Sequence, residues 1–137
     1  MGKYLNYYVF KDYGLILIRL GGDLELNDYL EMKKAQLNDP DYDPDYDIIM
    51  DMTEMSSKFS QTSKNEMKQY VDIVKTFQIT TRKRKVAFLT RTPDQVVSSY
   101  MYKSVDDRNN EFSIFSDIEA ALKWLGNYGL DVSPAYK

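Results

Sequence analysis

The chain of 137 residues contains neither cysteine nor histidine. Without cysteine there is no disulfide, no thiol nucleophile and no thiolate-ligated metal. Without histidine, no Ser-His-Asp triad, no His-ligated zinc and no imidazole proton relay can be assembled. Chemistry is left to carboxylates, lysine, tyrosine and hydroxyls, and no catalytic motif stands out among them, so a non-enzymatic protein is expected. Excess positive charge is also lacking: 18 basic residues face 21 acidic ones, for a net charge of -3, which argues against nucleic-acid binding. The longest apolar run, Leu15 to Ile18, falls far short of the roughly 20 residues that a membrane span needs. Met1 to Asn6 lacks the apolar core of a signal peptide, so a cytoplasmic location is expected. Gly21-Gly22 lacks the spaced third glycine of a phosphate-binding loop. No cofactor is implied.

What is present suits a single domain over residues 1–137, with 43% hydrophobic and 14% aromatic residues to build its core. Tyr4 to Phe10 and the run Leu15 to Ile18 read as an antiparallel hairpin turned at Gly14, the second strand covered on both faces. Asn27 suits the N-cap of a helix reaching about Leu37, on which Lys33 lays its stem on the core edge and keeps its charge in water. Asp47 to Met52 and Lys85 to Leu89 read as buried strands. Ser63 and Glu66 have the form of a capping box opening a helix with the stripe Met67, Tyr70, Val71, Val74 and Phe77. Thr92, Pro93 and Gln95 open a third helix, with Val97, Tyr100 and Met101 as its inner face. Glu111 to Phe115 alternates as a half-exposed edge strand. Ser116 and Glu119 box the last helix, which Gly126 ends. The order β-β-α-β-α-β-α-β-α implies a single-domain α/β fold: a mixed, mostly parallel five-stranded sheet with four helices.

Four constellations invite a functional reading. Asp39, Asp41, Asp43, Asp45 and Asp47 alternate like calcium ligands, but Pro44 stands where a calcium loop needs glycine and Met50 where it needs glutamate, so no metal site is expected. Arg82-Lys83-Arg84-Lys85 is the one positive patch, best explained as solvated charge guarding the start of a buried strand. Twelve tyrosines, four of them crowding the hairpin as Tyr4, Tyr7, Tyr8 and Tyr13, leave room for a homodimer contact. Tyr7 and Tyr8 face opposite sides of a strand, so at least one points outward. Finally, the hydroxyl-rich stretch Thr53, Ser56, Ser57, Ser60, Thr62 and Ser63 follows the carboxyl end of a central strand and leads into a helix, the place where open α/β sheets bind ligands.

Several segments together resemble a STAS domain, the fold of sulphate-transporter tails and anti-sigma-factor antagonists, in its divergent stand-alone branch. The carriers are Gly14-Leu15-Ile16-Leu17-Ile18-Arg19-Leu20-Gly21-Gly22-Asp23-Leu24, Ile48-Ile49-Met50-Asp51-Met52-Thr53-Glu54-Met55, Val86-Ala87-Phe88-Leu89 and Phe115 to Leu125. The resemblance implies a regulatory module that binds a protein partner of kinase or anti-sigma type, with Ser60 at the position of the family's phosphorylated serine. Phe59 and Thr62 replace the aspartate and glycine of that motif. The same branch is similar to CRAL-TRIO-type lipid carriers, which implies the alternative of a carrier or sensor of a small apolar or anionic ligand at the same strand ends.

Overall fold

The structure, a computed structural model, describes residues 2–56, 61–76, 78 and 82–137, the side chains of 61 and 62 excepted. Strands β1 (Tyr4–Phe10), β2 (Leu15–Gly22), β3 (Asp47–Met55), β4 (Arg84–Leu89) and β5 (Asn110–Phe115) form one sheet in chain order. β1 is antiparallel to β2, and the other pairs are parallel. A 3-10 turn, Lys11–Tyr13, closes the hairpin, and Gly14 adopts the left-handed φ of +60° that the turn requires. The helices are α1 (Leu26–Leu37), α2 (Gln61–Lys75), α3 (Pro93–Val105) and α4 (Ile118–Trp124), and a second 3-10 turn, Ser133–Tyr136, ends the chain.

Alternation along the strands sorts the core into two layers. Leu15, Leu17, Ile49, Ala87 and Leu89 pack under Ala121, Leu122 and Leu125 of α4 and its following residue. Ile16, Ile18, Leu20, Val86 and Phe88 face the opposite side with Met32 of α1. β2 is thus buried on both faces, as its unbroken apolar run predicts. The register shifts between Arg19 and Gly21, where Arg19 pairs with Asp51 but Gly21 with Glu54, and this irregularity keeps both Met52 and Met55 on the α1 side.

Helix starts differ from the sequence expectation in ways the contacts explain. α1 begins at Leu26 with Glu25, not Asn27, as its cap. Asp28 accepts the Glu25 amide at 2.8 Å and Glu66 of α2 accepts the Leu26 amide at 2.7 Å, so the first orphan donors are satisfied earlier. α2 starts at Gln61, which places Ser63 inside the helix and frees Glu66 for that task on α1. Thr92 and Gln95 do form the expected box on α3, whereas Asp117 rather than Ser116 caps α4 by accepting the Glu119 amide at 2.8 Å. Phe77 lies outside the described residues. After α4, Gly126 takes a φ of +80°, and the amide of Asn127 reaches the Leu122 carbonyl at 2.9 Å, as in a glycine-terminated helix.

The paired Asp-Pro-Asp-Tyr segments fold alike. Asp39 and Asp43 each accept, through Oδ1 at 2.9 Å, the amide two residues on, and their carbonyls accept the amides of Tyr42 and Tyr46 at 3.1 Å. No acidic cluster able to hold a metal occurs among the described residues. None of the described helices is long and apolar enough to cross a membrane.

Truncating Leu122, 3% exposed beneath α4, should cost about 2–5 kcal/mol in urea unfolding. Tyr128→Ala, at a residue 79% exposed, should change stability by less than about 0.5 kcal/mol.

Candidate functional site

The carboxyl end of β3 is tied down from two sides. Gln95 of α3 donates its side-chain amide to the carbonyls of Thr53 and Met55, both at 3.1 Å, while its oxygen accepts the Arg91 amide at 2.6 Å and the Thr92 amide at 3.2 Å. One buried side chain thus locks the exit of β3 to the start of α3. The Ser56 amide donates to the Gly22 carbonyl at 2.9 Å. On the α4 side of the sheet, Asp51 accepts the Thr53 hydroxyl at 2.7 Å and the Tyr136 hydroxyl at 2.5 Å. Arg19 lies over the rings of Tyr136 and Tyr4, 4.4 and 5.5 Å from their centroids, and pairs with Glu54, which also accepts the Tyr4 hydroxyl. Burial and the adjacent Asp51 carboxylate push the Tyr136 phenol well above its ordinary range.

The expected site residues therefore divide. The Thr53 hydroxyl is committed to Asp51, and Ser56 is exposed at the strand exit. Ser63 faces the interior at the edge of a cavity. Ser57 and Ser60 lie outside the described residues, as does the side chain of Thr62 in the first turn of α2.

The cavity, about 120 Å³, lies between the sheet and α1, α2 and α3. Its middle is apolar, with Ile18, Met50, Met52 and Phe88 in the walls, and its far end, at the starts of β4 and β5, is charged. Lys33, 5% exposed, donates to the Tyr42 hydroxyl at 2.8 Å and to Gln78 Oε1 at 3.0 Å. Arg84, 2% exposed, donates to Asn110 Oδ1 at 3.1 Å and to the Pro44 carbonyl at 3.0 Å. Arg108 grips Asp106 through two nitrogens, at 2.8 and 3.0 Å, and donates to the Tyr102 hydroxyl at 2.7 Å.

This cluster corrects two sequence expectations. Lys33 does not reach water, because Tyr42 and Gln78 close over its ammonium. Nor is the basic run a uniformly solvated guard. Arg84 points inward, Lys85 donates to the Trp124 carbonyl at 3.1 Å on the opposite face, and Arg82 pairs with Asp47 at 3.4 Å. The alternation of a strand assigns Arg84 and Lys85 to different faces, a signal present in the sequence. Its partners Asn110 and Pro44, remote along the chain, are not. The inner face of α3 also differs from the expected one, since it buries Gln95, Ser98 and Ser99 beside Tyr102, exposes Val97 and Tyr100, and leaves Met101 half-buried.

Burial, with the Arg84 and Arg108 guanidiniums nearby, pushes the Lys33 ammonium down to about 7 from 10.5. In that interval the unfolded chain holds a proton that the folded one has released, so stability rises with pH from about 7 upward. Urea unfolding between pH 7 and 9.5 should show an increase approaching about 1 kcal/mol per pH unit, and Lys33→Met should flatten it.

No described protein family matches the sequence, and no curated protein matches it. Among solved structures, an uncharacterized protein from the DUF3478 family with a SpoIIAA-like fold, from Shewanella loihica PV-4, aligns with a TM-score of 0.55 at 20% identity, covering 90% of this chain and 93% of that one. The sheet order, the helix count and this alignment together give the chain the SpoIIAA-like fold, that of the STAS anti-sigma antagonists.

Proposed function

We propose that this protein is a non-enzymatic STAS-type interaction module that recognises a protein partner through the exit of β3, the start of α2 and the outer face of α3. The observation that carries the reading is the pair of large apolar side chains that α3 leaves exposed. This helix buries Gln95, Ser98 and Ser99 with Tyr102 on its inner face and presents Val97, 44% exposed, and Tyr100, 60% exposed, to the outside. The two are three residues apart and share one helix face. Tyrosine supplies a large apolar body with a polar tip and is enriched at contact surfaces. α3 packs beside α2, so this face adjoins the helix that follows the hydroxyl-rich stretch. The Gln95 clamp fixes the strand exit in advance, which lowers the ordering cost of binding there. Ser60, placed by resemblance at the regulatory serine position, is the residue whose phosphorylation would add negative charge to this surface.

The test is a pull-down from the native host with paired baits. Tyr100→Glu should lower recovery of the specific partner about ten-fold or more, while Tyr128→Glu should leave it unchanged. Ser60→Asp should alter affinity for the same partner with an unchanged circular-dichroism spectrum. A partner held equally by all the baits, or no partner at all, rejects the reading.

A further inference from the structure

We propose that the cavity beneath α1, α2 and α3 is a binding site for a small organic monocarboxylate, its apolar body among the methionine and isoleucine side chains and its carboxylate at Lys33, Arg84 and Arg108. The proposal is independent of the partner surface on α3.

Three observations converge on it. The first is charge. Lys33, Arg84 and Arg108 line one end of the cavity, where Asp106 is the one carboxylate among the described lining residues that ion-pairs with any of the three. Glu25 and Glu66 line the cavity too, from the starts of α1 and α2. The Asp106 carboxylate is committed to Arg108, and no carboxylate lies within ion-pairing distance of Lys33 or Arg84 among the described residues. Both are held by neutral oxygens instead. Buried charge without a counter-ion is costly, and a bound anion relieves it. Burial first and the two guanidiniums second hold the Lys33 ammonium down, and a bound anion would favour its protonated form.

The second is an unmet hydrogen bond. Gln36, one turn beyond Lys33 on α1 and 1% exposed, lines the cavity, and its Oε1 has no partner. Buried polar groups are satisfied in the great majority of cases, and an exception calls for something that completes it. That oxygen is an acceptor, so a carboxylate completes the side chain only with the terminal amide turned over, its NH2 then facing the cavity as a neutral donor beside the cationic ones.

The third is shape. A cavity of about 120 Å³ is close to the roughly 150 Å³ that accommodates benzene in an engineered apolar hole. The body of the ligand is therefore about six carbons, not a long acyl chain. Methionine side chains around it, Met32, Met50, Met52 and Met55 among them, adapt to the shape of such a body.

The experiment titrates the full chain with hexanoate and benzoate by calorimetry, following methionine methyl signals by NMR in parallel. Hexanoate should bind about ten-fold or more tightly than 1-hexanol, the preference that a charge-assisted hydrogen bond confers. It should shift the Met50 and Met52 methyls. Lys33→Met should remove most of that preference while leaving the weaker alcohol binding in place. Arg84→Met should do the same, and if it fails to fold, Lys33→Met alone decides. Equal binding of hexanoate and 1-hexanol would overturn the carboxylate assignment, equal binding of formate would overturn the apolar one, and tighter binding of palmitate would overturn the size. Absence of binding by both acids at millimolar concentration would overturn the site itself.

Discussion

A sheet whose parallel strands follow chain order must place its crossovers on one face, because each connection is right-handed and each moves one strand further along. This constraint governs the rest of the molecule. It stacks α1, α2 and α3 on one side of β2 to β5 and leaves the other side to α4 and the carboxyl-terminal 3-10 turn. Strand parity then decides the fate of every residue. Leu15 and Leu17 go to α4, Ile16 and Ile18 to the three-helix side. The same rule separates Lys85 from Arg84 and sends Asp51 to the side where Tyr136 can reach it.

The two ends of the three-helix layer are held by different chemistry. At the strand exits a neutral side chain, Gln95, satisfies carbonyls and amides from β3 and the start of α3 at once. At the strand starts the layer is held by Lys33, Arg84 and Arg108, joined to Tyr42, Gln78, Asn110, Tyr102 and Asp106. The first end, where the Glu66 carboxylate also accepts the Leu26 amide, is closed by its own hydrogen bonds. The second carries more positive charge than it compensates. Between them lie apolar walls that the three helices do not fill, and the cavity results from that gap.

These features bear on function separately, because a fold of this type hosts sites without specifying them. The outer face of α3 offers apolar contact area to a macromolecule, whereas the interior offers charge and volume to a small anion. The two sit on opposite sides of α3. That helix can meet both demands because Ser99 is small enough to pack closely on Met52, its hydroxyl donating to the Gln95 carbonyl at 2.9 Å. Small inner residues bring this part of the helix near the sheet, Tyr102 fills the space over Phe88 and Phe112 further along, and Val97 and Tyr100 are left facing out.

What the sequence determined by itself was whatever depends on neighbours along the chain. The hairpin at Gly14, the doubly buried run of β2, the Thr92–Gln95 cap, the glycine stop at Gly126 and the α/β order are all set by side-chain period and local backbone preference. The resemblance in Gly14 to Leu24 and Ile48 to Met55 likewise pointed to the fold type. Tertiary structure alone decided the candidate cavity and the inner face of α3. Lys33 is buried because Tyr42 and Gln78 meet over it, and Arg84 because Pro44 and Asn110 do. A cation's stem looks the same in sequence whether its head ends in water or under another segment. The difference comes from partners brought near only when the helices close on the sheet.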